Sequence, residues 1–344
     1  MKQYVKSIDS MRITSILAVI LIHTTTRTLE AAKFNLTDFP LTIFLNQIAR
    51  FAVPLFFLIS GFVLETSSDL VIGFFSFLKK RFSKIFIPYV FWSAIYYLFV
   101  YSQNRENFFA VLLKGNASYQ LYFIPSLCIF YLLFPLFHRI YRFIANKYIL
   151  LIILSSQVWL LYQDYYVKEF KFDDPVHIAI LAYFLFILGI VAARKKDAIN
   201  RFVHKWKYIL FVAAAGAGVY VFREGVSRFL TTGNYLSYYS QWRPSVLIYT
   251  VILGLILFCI FENTKLQFSQ IQKVSRLSFL VFFIHVIVLE VSWTIIGRFL
   301  FTLMSGNIIG KLVFDLIFFG ETAAISFLIA FFLHKIPKLH RLIG

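Results

Sequence analysis

Asp9-Ser-Met-Arg12-Ile-Thr-Ser-Ile-Leu-Ala-Val-Ile-Leu-Ile-His23-Thr-Thr-Thr26 is an apolar run with a cation near its start and an imidazole inside it. Eleven residues turn a helix through about 1100°, three turns plus roughly 20°, so Arg12 and His23 share a face. At about 1.5 Å per residue they stand roughly 16 Å apart along the axis. One helix then carries a cation at a membrane surface and an imidazole near mid-depth, both facing one way. Ionisable groups are costly inside a bilayer, which makes His23 a functional candidate. The alternative is a histidine hydrogen-bonded between helices for packing.

Composition points the same way. The chain has 344 residues, 60% hydrophobic and 15% charged, with a mean hydropathy of +0.77. Soluble domains carry about 25% charged residues, so this is a polytopic membrane protein. The net charge of +18 is spread as short basic clusters between apolar runs, the pattern of membrane topology and not of a nucleic-acid surface. The 43 Phe and 20 Tyr suit a lipid-facing perimeter and interfacial belts. Cys128 and Cys259 both lie in apolar runs and give neither a disulfide framework nor zinc spacing, so no metal is expected. Glu30-Ala31-Ala32-Lys33 is a poor signal-peptidase site, and the first span is expected to be retained.

Ten segments are long enough to cross a bilayer, which takes about 20 residues each. They are residues 11–29, 41–64, 84–101, 121–137, 148–166, 176–193, 208–222, 245–261, 277–296 and 311–334. The expectation is an all-α transmembrane bundle forming one domain over residues 1–344, with both termini on one side. With that side cytoplasmic, inside positions hold about twice as many Lys and Arg as outside ones, as the positive-inside rule requires. The location expected is the cytoplasmic (inner) membrane of a bacterium.

Several polar residues fall inside these segments. Asn46 and Arg50 are four apart in the second and share a face. Pro54 frees a carbonyl there and can bend the helix, and Ser60 follows near its inner end. An arginine about 13 Å deep must face protein, water or an anion. It serves a site, or it contacts a carbonyl or Glu290. The loop Lys79-Lys80-Arg81-Phe-Ser-Lys84 sets four cations beside Arg12, for anionic lipids or for a phosphorylated ligand. His285 and Glu290 lie in the ninth segment, and of the two histidines His285 is the more structural candidate. In the tenth, Asp315 and Glu321 are expected to pair with Arg298 or Lys311. Outer loops carry Asp164, Tyr165, Tyr166, Asp173 and Asp174, then Tyr235, Tyr238, Tyr239 and Trp242. These either hold a sugar or anchor the chain in the interface.

Arg12-x10-His23, Arg50-Phe-Ala-Val-Pro-Leu-Phe-Phe-Leu-Ile-Ser-Gly-Phe62, Lys80-Arg81…Lys84…Pro88-Tyr89 and Ser278…Phe283-Ile284-His285 together resemble the acyltransferase 3 family of bacterial membrane acyltransferases. The likeness covers essentially the whole chain. The family's third motif is often Arg-x2-Arg; here Lys84 replaces the second arginine, giving a point charge in place of a bidentate fork. The resemblance implies transfer of an acyl group, usually acetyl, from cytoplasmic acyl-coenzyme A to a hydroxyl of a surface or lipid-linked glycan. It implies Arg12, Arg81 and Lys84 on the coenzyme phosphates, and His23 and Arg50 at the chemistry. A transporter or flippase for a lipid-linked sugar or small anion is the rival reading, with His23, Arg50 and Glu290 along its path.

Overall fold

A backbone surrounded by hydrocarbon must satisfy every N–H and C=O within its own segment, which only a helix does for a single run. The computed structural model accordingly holds helices and no strand among the residues it describes, which are 5–35, 38–67, 73–100, 106–168, 174–233, 235–264, 268–336 and 339–344. The long helices are α1 (Lys6–Ala31), α2 (Pro40–Thr66), α3 (Phe74–Val100), α4 (Phe123–Arg139) and α5 (Lys147–Tyr162). They continue with α6 (Asp174–Arg194), α7 (Lys196–Thr232), α8 (Pro244–Asn263), α9 (Ser269–Met304) and α10 (Ile308–His334). Eight of these are long and apolar enough to cross a membrane, and α4 and α5 are shorter.

Helix ends differ from the hydropathy segments where charge was read as a boundary. The cluster Lys79–Lys84, expected as a loop, is part of α3. Lys79, Lys80, Ser83, Lys84 and Ile87 recur at helical spacing along one wall of an open basic depression at the bundle's end, so the charges lie along one face and do not break the helix. The seventh segment grows from residues 208–222 to the 37 residues of α7, taking in Lys205, Lys207, Arg223 and Arg228. Long cationic side chains reach polar surroundings from helix ends without stopping the helix. Arg298, expected in a loop, lies within α9 for the same reason.

Two devices place the site helices. Pro54 cannot donate to the carbonyl of Arg50, and the chain answers with a 3-10 turn over Ala49–Phe51 that carries Arg50. Further along, α2 lies against α6 at a pair of glycines. A Cβ on Gly61 would stand 2.1 Å from the Phe186 carbonyl, and one on Gly189 2.0 Å from the Leu58 carbonyl. Small residues that let two backbones touch are how membrane helices gain packing where lipid offers no hydrophobic drive.

The half of the bundle where α1 ends carries a buried polar mesh. Arg243 is fully buried; it pairs with Glu224 at 3.3 Å and donates to the Gln47 side-chain oxygen at 2.7 Å. Glu224 also accepts from the hydroxyls of Tyr166 and Ser245. Gln47 donates in turn to the Tyr238 carbonyl at 3.1 Å, so the short helix Tyr235–Tyr239 is fastened to α2. Among the described residues Asp315 has no salt bridge to Arg298 or Lys311, the partners expected for it. It accepts from Thr28 at 2.7 Å and Thr42 at 2.5 Å, joining α10 to α1 and α2. Lys311, one turn before Asp315, donates instead to the Asp38 carbonyl at 2.9 Å.

Candidate functional site

Two chambers follow one another along α1. The first, about 340 Å³, is walled by His23, Thr26, Arg27 and Glu30 of α1 and by Arg50 and Val53 of α2. Glu290 of α9 and Tyr119, Gln120, Tyr235, Tyr239 and Gln241 of the connecting segments close it. The second, about 300 Å³, is walled by Arg12, Ser60, Arg81, Lys84, Arg276, Ser278 and Tyr131 among apolar residues. The basic depression beside it, about 860 Å³, shares Lys84, Arg276 and Phe279 with it and adds Lys79 and Lys80. The spacing of Arg12 and His23 read from the sequence therefore puts one in each chamber.

His23 is half-buried, its exposed part on the first chamber. Its ring lies 4.7 Å from that of Tyr119 and stacks on His285 at 5.3 Å and 28°. No carboxylate pairs with it among the described residues. Arg50 is 4% exposed. It donates to the Tyr239 carbonyl at 2.5 Å and to the Asn46 side-chain oxygen, and it stands over the Tyr239 ring at 5.2 Å. Asn46 passes this anchorage to α1, donating to the Ile22 carbonyl at 3.1 Å and to the Thr25 and Thr26 hydroxyls at 3.0 Å each. Those acceptors bracket His23, so Arg50 is fixed relative to the imidazole by a single amide. Burial pushes the Tyr238 phenol up to about 12 and raises Tyr239 as well, so both remain protonated at neutral pH.

The sequence candidates divide cleanly. His23, Arg50 and Glu290 face the first chamber; Arg12, Ser60, Arg81 and Lys84 face the second. Asn46 stands behind Arg50 and His285 behind His23, neither on a chamber wall. His285 bonds the Val281 carbonyl through Nδ1 at 3.1 Å, and its Nε2 has no partner among the described residues. Glu290 pairs with Arg27 at 3.4 Å and not with Arg50. Arg50 does meet a carbonyl, as one of its alternatives required, but from a residue 189 positions away. Arg12 is paired with Asp9 at 3.3 Å, which also accepts from Ser275 at 2.7 Å. Arg81 donates to Ser67 at 2.7 Å.

The outer-loop expectation splits. Tyr235 and Tyr239 reach the first chamber. Tyr238 and Trp242 are core, Asp164 pairs with His177 at 2.7 Å, and Asp174 accepts from Asn116 at 3.2 Å. Asp173 lies outside the described residues. In the sequence Arg276 reads as one more inside charge, and only the fold puts it on the second chamber and the basic depression. Its place two residues before Ser278 was the available signal. Tyr119, Gln120 and Gln241 carry no sequence signal, since only the tertiary fold brings their segments over α1.

A Bacillus subtilis protein provisionally named a membrane-bound acyltransferase is 26% identical over 302 residues, 82% of this chain and 80% of the relative. Staphylococcus aureus proteins provisionally named poly-beta-1,6-N-acetyl-D-glucosamine export protein are 26% identical over 291 residues, 79% of each chain. No solved structure matches. The acyltransferase-domain pattern of the acyltransferase 3 family matches residues 5–333, and the chain belongs to that family of membrane proteins.

Proposed function

We propose that the protein moves an acyl group, acetyl in the first instance, from acyl-coenzyme A at the basic end to a hydroxyl of a glycan or lipid-linked sugar at the other. The observation that carries this reading is the pair of chambers strung along α1, one cationic and one holding the imidazole. Phosphates suit Lys79, Lys80, Lys84 and Arg276 around the open depression, with Arg12 and Arg81 deeper. The thioester arm then extends through the second chamber toward His23. Tyr235, Tyr239, Gln241 and the Arg27–Glu290 pair give the first chamber the aromatic faces and polar groups that hold a sugar.

In the step proposed, His23 takes the proton of the acceptor hydroxyl as its oxygen bonds to the acyl carbon. Arg50 faces the oxygen that becomes negative. The carbon–sulfur bond breaks, and the departing thiolate takes the proton from His23. A route through an acyl-imidazole on His23 uses the same residues. The names of the Staphylococcus relatives favour a second reading, export of a sugar polymer through the same chambers. Purified protein incubated with acetyl-coenzyme A separates the two: binding or turnover supports transfer, and neither is expected of an exporter. Mass spectrometry of surface glycans with and without the gene identifies the acceptor, and unchanged acylation would sink the proposal.

A further inference from the structure

Three phenylalanines wall both chambers at once: Phe56 of α2, Phe123 at the start of α4 and Phe282 of α9. Ring centroids stand 5.9 Å apart for Phe56 and Phe123, and 5.8 Å apart for Phe123 and Phe282. Phe123 is thus the middle of one continuous row. On α2 the face reads Val53 in the first chamber, Phe56 in both and Ser60 in the second. On α4 and the residue just before it, it reads Tyr122, Phe123, Leu127. On α9, which runs the other way, it reads Glu290, Phe282, Phe279. Three helices independently place a phenyl ring at the same depth. Val53 to Ser60 spans about 10 Å, so the row is about one ring thick.

We propose that Phe56, Phe123 and Phe282 form a water-tight partition between the chambers, which the acyl-bearing arm of the donor crosses and small polar solutes do not. This rests on the acyl-transfer reading for the identity of what crosses. The need for it is chemical. A thioester held beside an imidazole base is open to any hydroxyl, and water is the most abundant. In the leak reaction water oxygen bonds to the acyl carbon, the carbon–sulfur bond breaks, the thiolate takes one proton of water, and a carboxylic acid is released. An apolar row with no polar side chain to hold water keeps water of the second chamber from following the arm to the imidazole, and breaks a continuous wet path across the membrane. A thin chain passes by turning a phenyl ring about its side-chain torsions, with no backbone motion required.

The test is cysteine accessibility in the full chain with Cys128→Ser and Cys259→Ser, reconstituted in sealed vesicles. The probe is an anionic, membrane-impermeant methanethiosulfonate. Ser60→Cys reports the second chamber and identifies the face from which it opens. From that face Val53→Cys should label at less than a tenth of the Ser60→Cys rate. Phe56→Ala should raise Val53→Cys labelling from the same face at least tenfold. Phe123→Leu, a smaller truncation, is the second variant should Phe56→Ala not fold, and it should raise labelling several-fold. Equal labelling of Val53→Cys and Ser60→Cys with the row intact would overturn the partition, as would no change on truncation. No acyl donor enters this measurement, so it stands even if the acyl-transfer reading fails. With acetyl-coenzyme A supplied and no acceptor, Phe56→Ala should hydrolyse the thioester several-fold faster than the wild type, and Phe56→Trp no faster. Hydrolysis unaltered by Phe56→Ala would contradict the role assigned to the partition.

Discussion

Arg50 is held by a carbonyl, an amide oxygen and a ring face at once. None of these groups is a carboxylate, so the guanidinium keeps its charge for whatever develops in the first chamber. Replacing it with lysine retains the charge and loses the fork that reaches Asn46 and Tyr239 together. Arg50→Lys should lower kcat by about 10²–10³, the range for losing one oxyanion donor, with little change in KM for the acyl donor. Steady-state kinetics on purified protein decides it, and a change confined to KM would move Arg50 out of the chemistry. His23→Ala should abolish transfer while the protein still folds and inserts, read by size-exclusion profile beside activity. Full activity in that variant refutes the role. His23, Arg12 and Arg50 were legible in the sequence because their cost in hydrocarbon and their spacing are local properties of a helix. The Tyr239 carbonyl on Arg50 and the stacking of His285 on His23 were not, because contacts across more than a hundred residues leave no trace in spacing.

At the scale of helices, the length of the apolar runs located every long element but misplaced the ends wherever a cation was taken for a stop. Lys79 to Lys84 continue α3, and Lys205 and Arg228 sit inside α7. The close approach of α2 and α6 was equally hidden, since a glycine's spacing within one helix does not say which other helix it meets. It makes a sharp prediction. Gly189→Val places methyl groups where the Leu58 carbonyl already stands 2.0 Å from an ideal Cβ. The helices must separate, tilting the α2 face that carries Arg50 and Phe56. A loss of roughly 1–3 kcal/mol or more is expected for overpacking of this kind, seen as a lower Tm in detergent together with lower activity. Gly216→Ala is the control, because nothing lies within 4 Å of its Cβ position. Alanine there should be neutral or stabilise by up to about 1 kcal/mol through helix propensity. Equal Tm for Gly189→Val and wild type would mean the α2–α6 contact is not as tight as described.

Across the whole molecule, charge is divided between two ends and so is the proposed labour. One end gathers Lys79, Lys80, Lys84 and Arg276 around an open depression; the other holds Arg27 balanced by Glu30 and Glu290 at 3.4 Å each. A cluster of cations around an open depression attracts a polyanion, and a cation held between two carboxylates does so far less, so binding of donor and acceptor should respond to different perturbations. Arg276→Ala is the sharpest case, since Arg276 walls both the depression and the second chamber. Losing one charge-assisted contact of about 1.5–3 kcal/mol should raise KM for acetyl-coenzyme A roughly tenfold to a hundredfold, with kcat held. The same variant should leave KM for acetyl-pantetheine, which has no phosphate, within about twofold of the wild type. Added salt should weaken the coenzyme donor in the wild type and somewhat less in Arg276→Ala, because one of the several contacts it screens is already gone. If Arg276→Ala instead raised KM for the sugar acceptor, or for both donors alike, the basic end would not be where the phosphates bind. The direction of transfer along α1 would then have to be reversed.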